Sequence, residues 1–146
     1  MTIEPIPSGY HAVTPYLVVD GAERLLEFMR RAFGAEETVR MPGPGGRIGH
    51  AEVKIGDSVV MFADASEESP VTRSVLHVYV VDSDATYTFA LEAGGESIRE
   101  PENQFYGDRM GGVRDPFGNS WWVATHIEDV SDEEIERRAQ ERADQR

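Results

Sequence analysis

The pair of side chains in this sequence best suited to proton chemistry is a histidine and an acid two residues apart. His50 and Glu52 stand in the stretch Gly49-His-Ala-Glu-Val53, and on an extended chain that spacing sets both on one face, about 7 Å apart. An imidazole in a cavity could titrate near neutrality and act as a general base, with the carboxylate orienting it or holding a cationic group. The plainer reading pairs Glu52 with Lys54 or an arginine and leaves His50 as pocket lining. His77, in Leu76-His-Val-Tyr79, could approach from elsewhere in the fold. His50, Glu52 and His77 together have the ligand types of a divalent metal site. His11 and His126 lie near the ends of apolar stretches and read as structural.

Other chemistry is excluded or weakly signalled. With no cysteine, disulfides, zinc–thiolate sites, iron–sulfur clusters and thiol nucleophiles are ruled out. The run Gly43 to Gly46 lacks the lysine and the strand–helix setting of a phosphate loop. A net charge of −13, from 14 basic and 27 acidic side chains, repels phosphate backbones and anionic lipid, so neither nucleic acid nor membrane is an expected partner. There is no apolar run of about 20 residues and no charged-then-apolar leader, which points to the cytoplasm. Tyr16, Tyr79, Phe62, Trp122 and Phe105 could form an aromatic wall for a flat or cationic organic ligand. Trp121 and Trp122 are neighbours, so on a strand one of them belongs to the core. Glu100 to Gly112, with Tyr106, Asp108 and Arg109, is the longest irregular stretch. It reads either as a mobile lid over a cavity mouth or as a hairpin loop whose Asp108 and Arg109 pair at the surface.

The elements that would position these residues come in two similar sets. The 146 residues suit one domain. Val13 to Asp20 and Val75 to Asp82 are β-branched and aromatic strands ending in Asp. Each precedes a helical stretch, Ala22 to Phe33 and about Asp84 to Ala93, stopped by Gly34 and Gly94. In the first helix Leu25, Leu26, Met29, Ala32 and Phe33 form the apolar stripe. In the second Ala85, Phe89, Ala90 and Ala93 form a weaker one, capped by Asp82 or Ser83. Strands follow at Glu37 to Met41, Arg47 to Ile55 and Ser58 to Ala63, the last two joined by a Gly56-Asp57 hairpin. The second half supplies Glu96 to Arg99, Gly111 to Arg114 and Ser120 to His126, with a turn at Asp115-Pro-Phe-Gly-Asn119. The pattern is β-α-β-β-β twice, and a repeat this short must pack on its twin to bury its sheet. After residue 128 an acidic tail opens with Ser131 and Glu134 in capping-box spacing and has only Ile135 and Ala139 as an apolar stripe. It reads as a surface helix or a frayed end.

Two such modules closing on Asp115-Pro-Phe-Gly-Asn119 resemble the vicinal oxygen chelate superfamily of glyoxalases, bleomycin-resistance proteins and extradiol dioxygenases. The stretches Thr14-Pro-Tyr-Leu17, Glu27-Phe-Met29, Ala32-Phe-Gly34, Gly49-His-Ala-Glu-Val53, Tyr106-Gly-Asp-Arg109, Asp115 to Trp122 and Ala124-Thr-His126 look like its PhnB-like branch. The resemblance implies an α+β fold, two βαβββ modules forming one curved mixed sheet with a concave ligand cavity. It divides the chain into an N-terminal extension (1–9), a glyoxalase-like domain (10–127, modules about 10–65 and 72–127) and a helical tail (128–146). Alternation then sorts the faces. Leu17, Val19, Ala51, Val53, Ile55, Leu76, Val78 and Val80 turn to the helices. Thr14, Tyr16, Val18, His50, Glu52, Lys54, Val75, His77, Tyr79 and Trp122 turn to the cavity.

The resemblance also implies four metal-ligand positions, which fall on Thr14, near Met61, on Val75 and on Trp122. None suits a catalytic divalent ion, so no inherited metal is expected, although a relocated one remains open. The expected ligand-binding set is Tyr16, His50, Glu52, Phe62, His77, Tyr79, Tyr106, Arg109 and Trp122. Two functions are carried forward. One is capture of a small, partly aromatic molecule in a metal-free cavity. The other is a lyase, isomerase or dioxygenase using a relocated divalent metal or His50 as general base. Superfamily relatives commonly pair as homodimers, and the same is expected here.

Overall fold

The computed structural model describes residues 2–146. The first module runs β1 (Tyr16–Val19), α1 (Ala22–Phe33), β2 (Glu36–Pro42), β3 (Ile48–Ile55) and β4 (Ser58–Asp64). The second repeats it with β5 (Val75–Tyr79), α2 (Ser83–Glu92), β6 (Glu96–Asn103), β7 (Asp108–Arg114) and β8 (Ser120–His126), and α3 (Asp132–Asp144) closes the chain. The curved surface consists of two four-stranded sheets, ordered β1-β4-β3-β2 and β5-β8-β7-β6. In each the first strand pairs parallel with the last, and the remaining pairs are antiparallel. β1 and β5 are therefore sheet edges.

Why the halves hold together follows from the helices. Leu25, Leu26, Phe28, Met29 and Ala32 give α1 a fully buried stripe, and α1 packs on α2 as well as on its own sheet. Phe33 stacks 4.8 Å from Trp121, and Phe28 lies 6.3 Å from it. One core thus holds Leu17 and Val53 of the first module with Tyr87, Val113 and Trp121 of the second. The expectation that neither repeat closes its own core is met.

The start of α1 has an unusual cap. Gly21 occupies the cap position without a side-chain acceptor, so the exposed amides turn to Asp64 at the end of β4. Its Oδ1 accepts from Gly21 N (3.0 Å) and Ala22 N (2.8 Å), and its Oδ2 from Ile48 N (2.7 Å). A carboxylate at the positive end of a helix is well placed. Burial pushes the Asp64 carboxyl up, but those three amides outweigh it and hold it below the usual value.

One expectation changes and two open readings are decided. The stripe of α2 runs through Tyr87 and Ala90, with Phe89 exposed, because the helix packs against α1 as well as β6 to β8. The stretch Glu100 to Gly112 is not a long irregular lid. β6 extends to Asn103 and meets β7 across a four-residue turn, with register shifts around Pro101 that accommodate its missing amide. Of the two readings of this stretch the hairpin holds, and polar composition concealed only how far β6 extends. The tail forms a complete helix with Ser131 as cap (Glu134 N to Ser131 Oγ, 3.2 Å). Glu134 binds Arg137 and Arg138 (2.7 and 3.0 Å). The helix is fastened by Arg138 to the Phe105 carbonyl and to Glu128, and by Arg142 over the Phe105 ring.

Candidate functional site

Strand alternation divides the two faces as expected. Leu17, Val19, Ala51 and Val53 are sealed beneath the helices, while Tyr16, His50, Glu52 and Lys54 point the other way. Where the edges β1 and β5 approach, they line a cleft of about 650 Å³, within the range of small-molecule sites. Thr14 and Tyr16 line it from one module, Val75, His77 and Tyr79 from the other, and the Gly56-Asp57 turn borders it. Leu76, Val78 and Trp121 give it an apolar wall. Asp57 is the single carboxylate among its described lining residues, and no lysine or arginine is among them.

Beside the cleft, four polar side chains are linked in series. Glu52 is buried, and its carboxylate accepts from the Tyr10 hydroxyl and meets His50 Nε2 at 2.7 Å. An ionised carboxylate only accepts, so neutral His50 carries its proton on Nε2 and its Nδ1 accepts from the Tyr16 hydroxyl at 3.0 Å. Burial alone raises the Glu52 carboxyl, but the Tyr10 and His50 hydrogen bonds outweigh it and hold it below its usual value. Tyr10 is pushed up by the carboxylate it serves. The Glu52–Lys54 pairing considered for this strand is not among the ion pairs, and His50 takes that place.

The second module builds its own buried acid. Asp108 accepts from Tyr79 (2.7 Å) and from His126 Nδ1 (2.8 Å), and His126 Nε2 reaches Asp129 at 2.7 Å. The two acids raise His126, and the hydrogen bond to Asp108 raises Tyr79. Asp108 therefore does not pair with Arg109, which instead grips Asp84 on α2 (2.8 Å) and Asn103 (3.0 Å).

The expected site residues thus separate into groups. Tyr16, His77 and Tyr79 line the cleft. His50 and Glu52 stand behind Tyr16. Trp122 lies on the same sheet face as its register partner His77, flat against Gly112, where a Cβ would fall 2.5 Å from the indole, and under the Arg99 guanidinium at 5.7 Å. Tyr106 packs at the β6–β7 turn, its hydroxyl 3.8 Å from Met110 Sδ, and burial raises it. Phe62 is not at the cavity. In phase with Val60, it points into the core with no exposure. Arg109 is drawn away to α2, and His11, read as structural, borders the cleft. Tyr10 belongs to the first network but was not singled out, since it meets Glu52 only through a contact 42 residues apart. Asp108, read as a surface partner of Arg109, is instead buried in the second.

Comparison with known proteins fits this architecture. Residues 10–123 match the Glyoxalase/Bleomycin resistance protein/Dioxygenase superfamily. The chain belongs to that superfamily. An uncharacterized protein of Mycobacterium bovis is 36% identical over 139 residues, covering 86% of this chain and 90% of the relative. Among solved structures, TioX from Micromonospora sp. ML1 superposes with a TM-score of 0.67 at 24% identity, covering 83% of this chain and all of the other. A glyoxalase/bleomycin resistance protein/dioxygenase from Nocardioides gives 0.60 at 20% identity over 90% of each.

Metal-dependent members of the superfamily place a divalent ion on paired strands. Here register sets Tyr16 opposite Met61 and His77 opposite Trp122, with Thr14 and Val75 two residues earlier. A threonine, a thioether, an aliphatic chain and an indole do not make a donor set for a divalent ion, so the inherited positions do not fit one. Among the described residues, no group of three or more His, Asp or Glu side chains is disposed to hold a metal ion. No helix among them is long and apolar enough to cross a membrane.

Proposed function

We propose that this superfamily member captures a small, neutral, partly aromatic molecule in the cleft between its modules, without a metal. One observation carries the reading: ring systems and aliphatic chains line the cleft, while the four inherited ligand positions hold Thr14, Met61, Val75 and Trp122. Burial against Tyr16, His77 and Tyr79 would supply affinity. The superfamily's name includes a resistance protein, and the motif stretches resemble the PhnB-like branch, which supports the reading. Calorimetric titration with a panel of substituted benzenes and heteroaromatics tests it. Saturable one-to-one binding, lost in Val75→Glu, is expected, and a panel without any saturable member would overturn it. Untagged protein should contain metal well below stoichiometry.

A second reading, acid–base catalysis, is favoured by the hydrogen bond between His50 and Glu52. Under it His50→Ala abolishes turnover, whereas in a pure binder the change only adjusts affinity. We also propose a homodimer, since β2 and β6 are free sheet edges away from the cleft and Met41 is well exposed on the first. Sedimentation should give twice the 16.2 kDa chain mass, and a monomer at micromolar concentration would refute it. Cytoplasmic residence, with no nucleic acid or membrane partner, completes the proposal.

A further inference from the structure

Glu52, His50 and Tyr16 run in order from the interior to the cleft. The carboxylate is 6% exposed, the imidazole half-buried, and the phenol 44% exposed. With His50 neutral and its Nε2–H directed at Glu52, the Tyr16 hydroxyl donates a hydrogen bond to His50 Nδ1 at 3.0 Å, and its oxygen offers the cleft only lone pairs. An oxygen in that state seeks a donor. The cleft has no lysine or arginine among its described lining residues, so it offers no fixed cation to attract a ligand that arrives charged negative. Both Glu52 oxygens are already engaged, by Tyr10 and His50, which leaves that carboxylate unavailable to a ligand cation.

We propose that this series is a proton-accepting site for the weakly acidic hydroxyl of a flat, neutral ligand, a phenol or an enol, and that Tyr16 is the residue that meets it. The proposal rests on the reading of the cleft as a ligand site. The ligand O–H bond breaks and its proton goes to the Tyr16 oxygen, while its electron pair stays on the ligand. The Tyr16 O–H bond breaks in turn, and that proton joins His50 Nδ1. The new imidazolium lies against the Glu52 carboxylate at 2.7 Å. The ligand is then a phenolate or enolate, the protein holds one more proton, and no charge has entered the cleft from solvent. This is the arrangement by which a base and an orienting acid activate a hydroxyl, with the hydroxyl here serving as a conduit.

The groups that could bias the transfer are known from every side. Tyr10 and Glu52 touch the relay, and Lys54 lies on the same strand face. His11, Asp57, His77 and Tyr79 share the cleft with Tyr16. Across the sheet, Met41 faces His50 and Met61 faces Tyr16, and neither titrates.

The test uses 4-nitrophenol, whose phenolate absorbs separately from its phenol, and 4-nitroanisole, which has no acidic proton. In the wild-type protein at about pH 6, bound 4-nitrophenol should show roughly ten times the phenolate fraction of the free compound. In Tyr16→Phe and His50→Gln, each saturated with 4-nitrophenol, the bound phenolate fraction should fall back to its free value, whatever the change in affinity for 4-nitroanisole. If 4-nitroanisole binds but wild-type-bound 4-nitrophenol ionises as in water, the relay is refuted and the cleft reading stands. Retention of the rise in Tyr16→Phe refutes the role of Tyr16. If neither compound binds, the proposal and the aromatic-ligand reading fail together.

Discussion

At the scale of single residues, much of the fold's precision rests on buried carboxylates. Asp115, at 3% exposure, accepts from the amides of Phe117 and Asn119, from Asn119 Nδ2 and from Trp121 Nε1. It ties the Asp115 to Asn119 turn to the tryptophan that joins the modules. Asp115→Ala would leave several of those donors unpaired, and we expect a loss of about 3 kcal/mol in urea-unfolding free energy. The turn was legible as a fold marker, because proline and glycine preset it. Its grip on Trp121 was not, since no local pattern announces a side-chain contact. His126 offers a pH prediction. Its pKa is raised by Asp108 and Asp129, so its contribution to stability is fully present below the ordinary histidine value of about 6.5 and is lost as pH rises through the raised value. Thermal melts should show Tm falling across that interval in the wild type, and the step should be absent in His126→Asn.

Elements show the same division between what sequence patterns reveal and what they conceal. The strand faces were legible because one side of each strand must be apolar. Leu17 and Val19 against Tyr16, or Ala51 and Val53 against His50 and Glu52, follow from period two alone. The position of Phe62 was misread because an aromatic ring suits a cavity and a core equally. Its phase with Val60 was the signal available. The full length of β6 was hidden by a strand rich in Glu, Pro and Asn, held by its partner's ladder rather than by its own propensity. The cap of α1 comes from Asp64, 42 residues downstream of Ala22, beyond the reach of a local capping rule. Asp64→Ala should cost about 2 kcal/mol and lower Tm, with the largest increase in amide exchange at the first turn of α1. The third helix should respond to acid. Glu134 is held down to about 2 by Arg137 and Arg138. Its contribution is present above the ordinary carboxylate value and disappears as pH falls toward that figure, and circular dichroism of the wild type should lose helix there. Glu134→Gln should blunt the transition.

For the molecule as a whole, the contrast is between a strongly acidic exterior and a nearly neutral cleft. The net charge is −13, yet Asp57 is the single carboxylate among the described cleft residues. A neutral aromatic ligand should therefore bind almost independently of salt, with affinity changing less than about twofold between roughly 20 mM and 500 mM sodium chloride. A steep dependence would mean that the acidic surface, and not the cleft, supplies the attraction. The two tryptophans complete the picture. Trp121 is sealed at the junction of the modules, and Trp122 lies against Gly112 on the opposite sheet face. With no third indole in the chain, the protein carries two natural fluorophores in different surroundings. Trp121 also walls the cleft, so its emission should respond to a guest as well as to unfolding. That of Trp122, outside the cleft lining, follows structure alone, and comparing the two separates arrival of a guest from loss of structure.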